Sequence, residues 1–443
     1  MDRRALVRAI DDVVDDRRLV WVGLRGDDAE SLSDIPQFRN AFSLISAYDR
    51  RIGVRSSAYE DISGVRVDPE IWDIDDHLGA EATKTFRNEL LRALSAPSLV
   101  VPYRPSQFLS AVLFARSARC RPLGIFGALQ SAFEHKPWVE TAVGQLGLPR
   151  VPWRYIADEE QLSATSMFHD GPLMLRRSRT SGGEGLVRVD GPDELLAQWP
   201  KIDEAFVSVA PYIDGGLPVN VGAVVWADGV TVHHPSVQLI GIPNLVTRRF
   251  GYCGNDFGAA RELPDEIIDE IETAVQAFGG WLGAHGFRGA FGVDFLVHDG
   301  HALFLEVNPR FQGSTHASAQ LDAEAGESCL MLEHVAAWLD IPAPKSRSLR
   351  EIVRSTPDLS HIVTHWTGES ARLDVSPLVQ AVRRNPATAR VELAPTDALV
   401  CDQGAAILRW TVRQRVTATG YELFPEFDGL DARLVVPSGK SGD

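Results

Sequence analysis

The chain has 443 residues, 44% hydrophobic and 23% charged, the balance of a soluble globular protein with room for two or three domains. Its formal net charge of −16 excludes the basic footprint of a non-specific nucleic-acid binder, yet is compatible with a cationic substrate. Four cysteines, Cys120, Cys253, Cys329 and Cys401, show no paired spacing and read as free thiols of a reducing cytoplasm, not as a disulfide frame or zinc site. The opening MDRRALVRAIDDVVDD lacks the apolar core of a signal peptide, and no apolar run approaches the ~18 residues of a membrane span. A cytoplasmic location with no membrane partner is expected.

Residues 1–130 predict an α/β unit. A first helix leads to the strand LVWVGLRG, closed by Gly23 and Gly26; then follow a helix over Ala82 to Leu94, the strand SLVVPY, a helix over Gln107 to Ala115, and a strand over 122–128. Strands alternating with helices imply a mainly parallel sheet. Gly23-Leu24-Arg25-Gly26 lacks the third glycine and acidic partner of a dinucleotide fingerprint and reads as turn geometry.

FEHKPWVETAVGQLGLPRVPWRYI carries Lys136 near a helix start, an unfavourable place for a cation unless function keeps it there. PLMLRRSRTSGGEGLVRV (172–189) reads as strand, Gly-rich loop, strand. The backbone N–H groups around Ser181, Gly182 and Gly183 can fold over phosphate oxygens, although such a loop alone is also a plain hairpin. PVNVGAVVWADGVTVHHPSVQLIG predicts strands around Ala227-Asp228-Gly229. His233 and His234 are adjacent, so on a strand they point to opposite faces and do not share one metal ion. NLVTRRFGYCGNDFGA (244–259), with Arg248, Arg249 and Asn255, precedes a long helix over Pro264 to His285; it reads as a carboxylate binder or a solvated basic loop.

The stretch GAFGVDFLVHDGHALFLEVNPRFQGS (289–314) predicts two strands around His298-Asp299-Gly300, with Gly300 in the left-handed last position of a three-residue loop. That register puts Asp294, Glu306 and Asn308 on one face and Phe295, Val297, Leu303, Leu305 and Val307 on the other. A two-residue loop at Asp299-Gly300 would separate Asp294 from Glu306. Two carboxylates and an amide oxygen on one floor suit a hard cation such as Mg2+ carrying nucleotide phosphates. Arg310, two residues on, is placed to neutralise a transferring phosphoryl group.

DFLV…FLEVNPRFQGS resembles the metal-binding core of the ATP-grasp superfamily, whose members mostly join a carboxylate to an amine through an acyl phosphate. The resemblance covers about Phe133 to Leu339. It implies ATP and Mg2+, in two ions, as cofactors, with Asp294, Glu306 and Asn308 as metal ligands and Arg310 on phosphate or the reacting carboxylate. It implies a first ATP-contacting lysine at Lys136 and puts Arg176 where the family has a second lysine, a departure that exchanges a point charge for a planar fork. AFVSVAPYIDGG (205–216) is similar to the segment that holds adenine by its backbone, implying contacts at Ala210, Tyr212 and Ile213, with Asp214 toward the ribose. Arg248, Arg249, Arg310 and Ser314 are then the candidate substrate binders.

After the hairpin, Gly313 to Ser318 lead into an amphipathic helix ending near Leu339, and prolines at 342 and 344 mark a boundary. Residues 345–437 predict a small β-rich C-terminal domain. The expected fold is therefore α/β: an N-terminal parallel domain (1–130), an α+β ATP-grasp domain of two subdomains (131–340, with a lid at about 165–215), and the C-terminal domain.

Three activities compete. The first is ADP-forming carboxylate–amine ligation of small-molecule carboxylates with amino-acid or peptide amines; domain order and length are similar to stand-alone peptide ligases of bacterial natural-product pathways, the pheganomycin type. The second is a biotin-dependent carboxylase, which tends to carry a glutamate four residues after the arginine, where Ser314 stands. The third is nucleotide binding without catalysis. The family resemblance also implies a possible homodimer.

Overall fold

A computed structural model describes residues 2–46, 53–126, 128–178, 182–183, 185–199, 206–393 and 399–438. Ser181, with Arg179 and Glu184 of the same loop, lies outside the described residues, as does the tail from residue 439. The fold is mixed α/β, built on one parallel and two antiparallel sheets.

The first sheet is parallel throughout. It comprises β1 (Arg18–Arg25), β2 (Phe38–Ile45), β3 (Arg55–Ala58), β4 (Ser98–Pro102) and β5 (Cys120–Pro122), in the order β3-β2-β1-β4-β5. Alternate residues of β1 and β4 serve opposite faces, as the strand period demands. Leu19, Trp21, Leu99 and Val101 meet Leu6 and Ile10 of α1 (Arg3–Val14). Val20 and Val100 meet Phe86 and Leu90 of α2 (Glu81–Ala93) and Phe108 of α3 (Gln107–Ala115). The strand expected over 122–128 is instead Cys120–Pro122. Pro122 has no N–H to give, and the ladder is continued only by Leu123 N–H donating to Val100 O at 2.8 Å.

Next come α4 (Lys136–Gln145) and a small antiparallel sheet of β6 (Arg154–Ala157), β7 (Leu173–Arg176), β8 (Leu186–Val189) and β9 (Phe206–Pro211), ordered β6-β9-β7-β8. The Gly-rich loop joins β7 to β8.

The central sheet carries β10 (Leu217–Val225), β11 (Val230–Val232), β12 (Ser236–Ile240), β13 (Tyr252–Asp256), β14 (Gly289–His298) and β15 (His301–Asn308). The β-rich C-terminal residues extend it with β16 (Ser360–His365), β17 (Thr388–Leu393) and β18 (Ala406–Val412). Its order is β15-β14-β10-β12-β13-β16-β18-β17, with β11 on β10. β10 and β14 are covered on both faces, hence their near-continuous apolar composition. The long helix α5 (Asp265–Ala284) lays Ile267, Ile271, Val275, Phe278 and Leu282 on Val219, Val221, Val293 and Phe295. Each such side chain contributes roughly 1.5–3 kcal/mol of burial before conformational entropy is subtracted.

The single helix expected up to Leu339 is two, α6 (Thr315–Ala325) and α7 (Leu330–Trp338), because Gly326 takes a left-handed φ of 72° and ends the first. Among the described residues no helix is long and apolar enough to cross a membrane.

Candidate functional site

The β14–β15 hairpin corrects the expected turn and keeps the expected floor. Asp299 and Gly300 have φ of 48° and 77°, the positive angles of a two-residue type I′ loop, and His298 pairs with His301. Up to Phe295–Phe304 the ladder follows that loop. A bulge at Leu305 then shifts it by one, so Asp294 pairs with Glu306 and Gly292 with Asn308. Without the bulge Glu306 would turn into the core. The shift also corrects the core face: Ala302 and Phe304 are buried with Phe295 and Val307, whereas Leu303 and Leu305 are half-exposed and Leu305 borders the site cavity.

Asp294 is the buried hub. Asn220, its partner across β10–β14, donates Nδ2–H to Oδ1 at 2.5 Å, and Asn308 donates Nδ2–H to Oδ2 at 3.1 Å. Gln238 and Gln312 approach Oδ1 at 3.4 and 3.5 Å. Ser314 donates its hydroxyl to Asn220 Oδ1 at 2.9 Å, so the expected substrate contact acts as a prop for the hub. Gly292 leaves the space over which the Gln312 amide lies; a Cβ there would overlap it. Burial first, and then the facing Glu306 charge, push Asp294 up to about 7. Burial also raises Glu306, but Lys136, Arg176 and Arg310 outweigh it and hold that carboxyl below its ordinary value.

Lys136, the first residue of α4, forms an ion pair with Glu306, which explains a cation at a helix start. Arg176, on β7, pairs with the buried Glu140 of α4, and its guanidinium lies 3.9 Å from the Trp153 ring centroid. Tyr155 donates its hydroxyl to the other Glu140 oxygen at 2.6 Å. Of the Arg176 fork, expected toward ATP, one NH2 group is committed to Glu140, while its buried Nε has no hydrogen-bond partner among the described residues. Arg310 donates to Phe311 O at 3.1 Å with its guanidinium 5.9 Å from the Tyr103 ring. Burial disfavours its charge, but Tyr103, Glu134, Glu70 and Glu306 outweigh that and raise its pKa.

Gly182 and Gly183 have φ of 57° and 76°, and both border the cavity. A Cβ on Gly183 would sit 2.1 Å from Phe250 O, so this turn and this close approach both require glycine. Arg248, expected on substrate, instead pairs with Asp68 and donates Nε–H to Gly182 O at 3.0 Å, tying the Gly-rich loop to the N-terminal unit. Arg249 is exposed, its guanidinium 5.7 Å from the Phe250 ring, and does not border the cavity. Tyr212 and Ile213 border the cavity, but the Tyr212 N–H is given to Pro172 O at 2.7 Å and is unavailable to a base. Ala210 is buried in the ladder opposite Met174, and Asp214 is exposed; neither borders the cavity.

His233 and His234 follow the last residue of β11, so strand alternation does not apply to them. They converge on one carboxylate, His233 Nδ1 and His234 Nε2 lying 3.4 and 3.2 Å from the two Asp322 oxygens. No cluster of three His, Cys, Asp or Glu residues placed to hold a metal occurs among the described residues.

Lys136, Arg176, Asp294, Glu306, Asn308 and Arg310 share one cavity of about 350 Å³, within the small-molecule range. Sequence reading missed Asn220, Gln238, Gln312 and Tyr252 in its wall. Only the pairing of Asn220 with Asp294 across 74 residues could have signalled the first. The donor set fits a hard divalent cation: its acceptors are all oxygen, and the two carboxylates of Asp294 and Glu306 face each other across one strand pair. The orphaned Arg176 Nε fits an anionic ligand beside it.

Residues 150–314 match the family model of the ATP-grasp domain. Relatives include the carbamoyl phosphate synthase large chain of Thermomicrobium roseum, 28% identical over 45% of this chain, and a formate-dependent phosphoribosylglycinamide formyltransferase of Azoarcus sp., 26% identical over 47%. The chain spans 18% and 50% of the length of those two relatives. In fold it is similar to an N5-carboxyaminoimidazole synthase of Aspergillus clavatus solved with ADP and 5-aminoimidazole ribonucleotide (TM-score 0.61, 15% identity, 94% of this chain and 98% of that one). It is also similar to a biotin carboxylase domain of the 2-oxoglutarate carboxylase of Hydrogenobacter thermophilus, solved as a dimer with MgADP and bicarbonate (TM-score 0.64, 14% identity, 90% and 86%).

Proposed function

We propose that this chain is an ADP-forming carboxylate–amine ligase that joins an amino-acid carboxylate to the amine of an amino acid or peptide, in a bacterial natural-product pathway. The observation that carries the reading is the convergence of Asp294, Glu306 and Asn308 on one face beside Lys136 and Arg310, in a cavity that the N-terminal sheet also walls. Asp294, Glu306 and Asn308 would hold Mg2+, which when bound supplies charge neutralisation for the ATP phosphates.

Carboxylates do not acylate amines at neutral pH, so activation comes first. A carboxylate oxygen of the donor bonds to the γ-phosphorus of ATP as the bond from that phosphorus to the β–γ bridging oxygen breaks, releasing ADP. The neutral acceptor amine then bonds to the acyl carbon, the carbon–oxygen bond to phosphate breaks, and the nitrogen loses a proton to solvent. Lys136 and Arg310 offset charge around the transferring group, and Arg176 does so while held by Glu140 and Trp153. Gly182 and Gly183 bring backbone N–H groups toward phosphate, and Ile213 stands at the adenine end. Ser314, where a carboxylase would present a base, is committed to Asn220, which weighs against bicarbonate chemistry.

The test is nucleotide turnover with ATP, Mg2+, mixed amino acids and short peptides, separating ADP from AMP. ADP and phosphate formed only with carboxylate and amine together, and lost in Glu306→Ala, support the ligase. AMP formation overturns the mechanism.

A further inference from the structure

The C-terminal residues do more than lengthen the central sheet, because one loop of theirs returns to the cavity. Leaving β18, the chain reaches first Asp256 of β13 and then Ile240 of β12, and sets Tyr421 in the cavity wall. Two side chains knot this loop. The Asp256 carboxylate accepts the Val416 and Thr417 N–H groups at 2.7 and 3.3 Å. The Thr417 hydroxyl donates to Glu422 O at 2.6 Å and accepts the N–H groups of Thr419 and Gly420 at 3.2 and 2.9 Å.

The tip of the loop fills a gap between two strands. β10 and β12 pair at Val219–Val237 and Asn220–Ser236, and Pro218 has no N–H with which to continue the ladder. The Ile240 N–H goes instead to Gly420 O at 2.8 Å. Gly420 is pressed so close that a Cβ would sit 2.5 Å from Gln238 O and 2.9 Å from Pro218 Cγ. From there Tyr421 donates its hydroxyl to Gly216 O at 3.0 Å.

Gly216 ends one of the two stretches of chain that join the small sheet to the rest, one before β6 and one after β9. The first stretch is anchored on the central sheet itself, by Phe304 N–H to Pro149 O at 2.9 Å and Val151 N–H to Phe304 O at 3.4 Å. The second, 212–216, is held at one end to the small sheet through Tyr212 and Pro172, and at the other by Tyr421. Between those ties lie Ile213, which borders the cavity, and the exposed Asp214 and Gly215.

Resting on the nucleotide site of the ligase reading above, we propose that Tyr421 is a positioning residue that clamps the Gly216 end of this linker. The clamp confines movement of the small sheet to Ile213, Asp214 and Gly215 and holds Ile213 in the wall that meets the nucleotide. The C-terminal residues thereby set nucleotide affinity through the linker.

Tyr421 is 40% exposed, so Tyr421→Phe removes the hydroxyl and leaves the core intact. Wild type, Tyr421→Phe and Gly420→Ala are compared as full chains by calorimetric titration with MgADP and by amide hydrogen exchange of residues 212–219 and of α5. Loss of one neutral hydrogen bond predicts MgADP binding about threefold to tenfold weaker in Tyr421→Phe. Exchange over 212–219 is expected to quicken by a similar factor while α5 is unchanged. Gly420→Ala, which displaces the tip, is expected to do at least as much. Unchanged binding, unchanged exchange over 212–219, or equal quickening in α5, the mark of general destabilisation, overturns the proposal. If wild type binds no MgADP, the ligase reading fails, and exchange selectively faster in Tyr421→Phe still leaves the linker clamp standing. MgADP bound with no selective change in exchange removes the clamp and leaves the ligase reading standing.

Discussion

Asp294 stands directly opposite Glu306, one step out of register with the neighbouring pair Phe295–Phe304. The bulge at Leu305 makes both facts possible, packing the phenylalanines into the core while both carboxylates face the cavity. Because burial and Glu306 push Asp294 up to about 7, the metal-free protein carries a pH-dependent strain at this pair. The folded-state pKa is above the unfolded one, so protonated Asp294 favours folding at low pH, and that contribution is lost as pH rises through about 7. Scans of melting temperature without metal are expected to show this decline, and Asp294→Asn to flatten it. Mg2+ requires the ionised form, so its affinity rises about tenfold per pH unit below about pH 7. A pH-independent Mg2+ affinity would contradict the assignment.

Arg176 and Glu140 are each 4% exposed, so removing either strands the other's charge. Arg176→Ala is expected to destabilise by about 3–5 kcal/mol in denaturant unfolding. Arg176→Lys keeps the charge but loses the fork and the Trp153 stack, and a smaller loss with a raised KM for ATP is expected.

Asn220 links Ser314 to Asp294 within the buried sheet. Asn220→Ala removes a hydrogen bond to a charged group, an expected loss of about 1.5–3 kcal/mol. Its signature is an Asp294 titration moved further upward, read as weaker Mg2+ binding at neutral pH, while Ser314→Ala has the same sign and a smaller size.

Gly183 has no room for a side chain beside Phe250 O, and Arg248 grips the neighbouring Gly182 carbonyl. On the ligase reading, Gly183→Ala and Arg248→Ala are both expected to raise KM for ATP by about tenfold or more, because each would displace the backbone groups proposed to meet phosphate. Equal KM values in wild type and both variants would remove this loop from nucleotide binding.

The carboxylate floor was legible in the sequence because two strands, an apolar alternation and the spacing of Asp294, Glu306 and Asn308 are all local. The turn was not: Asp299 accepts a positive φ that its residue type only permits, and a bulge compensates for the shorter loop. Asn220 and Gln238 carry no local mark, since their role arises from β10 and β12 lying near β14 in the sheet order. Glu140 carries no local mark either, since its partner Arg176 comes from β7, 36 residues on. His233 and His234 were read by strand rules just past a strand's end. The C-terminal strands showed their alternation, but nothing in it named the sheet they would join.

That junction has a practical consequence. β16 is zipped along β13 through the Gly254–Ile362, Asn255–His361 and Asp256–Ser360 pairs, and β18 along β16. Truncating the chain after Leu339 would strip that cover and bare a raw edge of unmet N–H and C=O groups on β13, a template for other chains to add to. Anyone trimming this protein to its first 339 residues should expect inclusion bodies rather than a minimal folded unit.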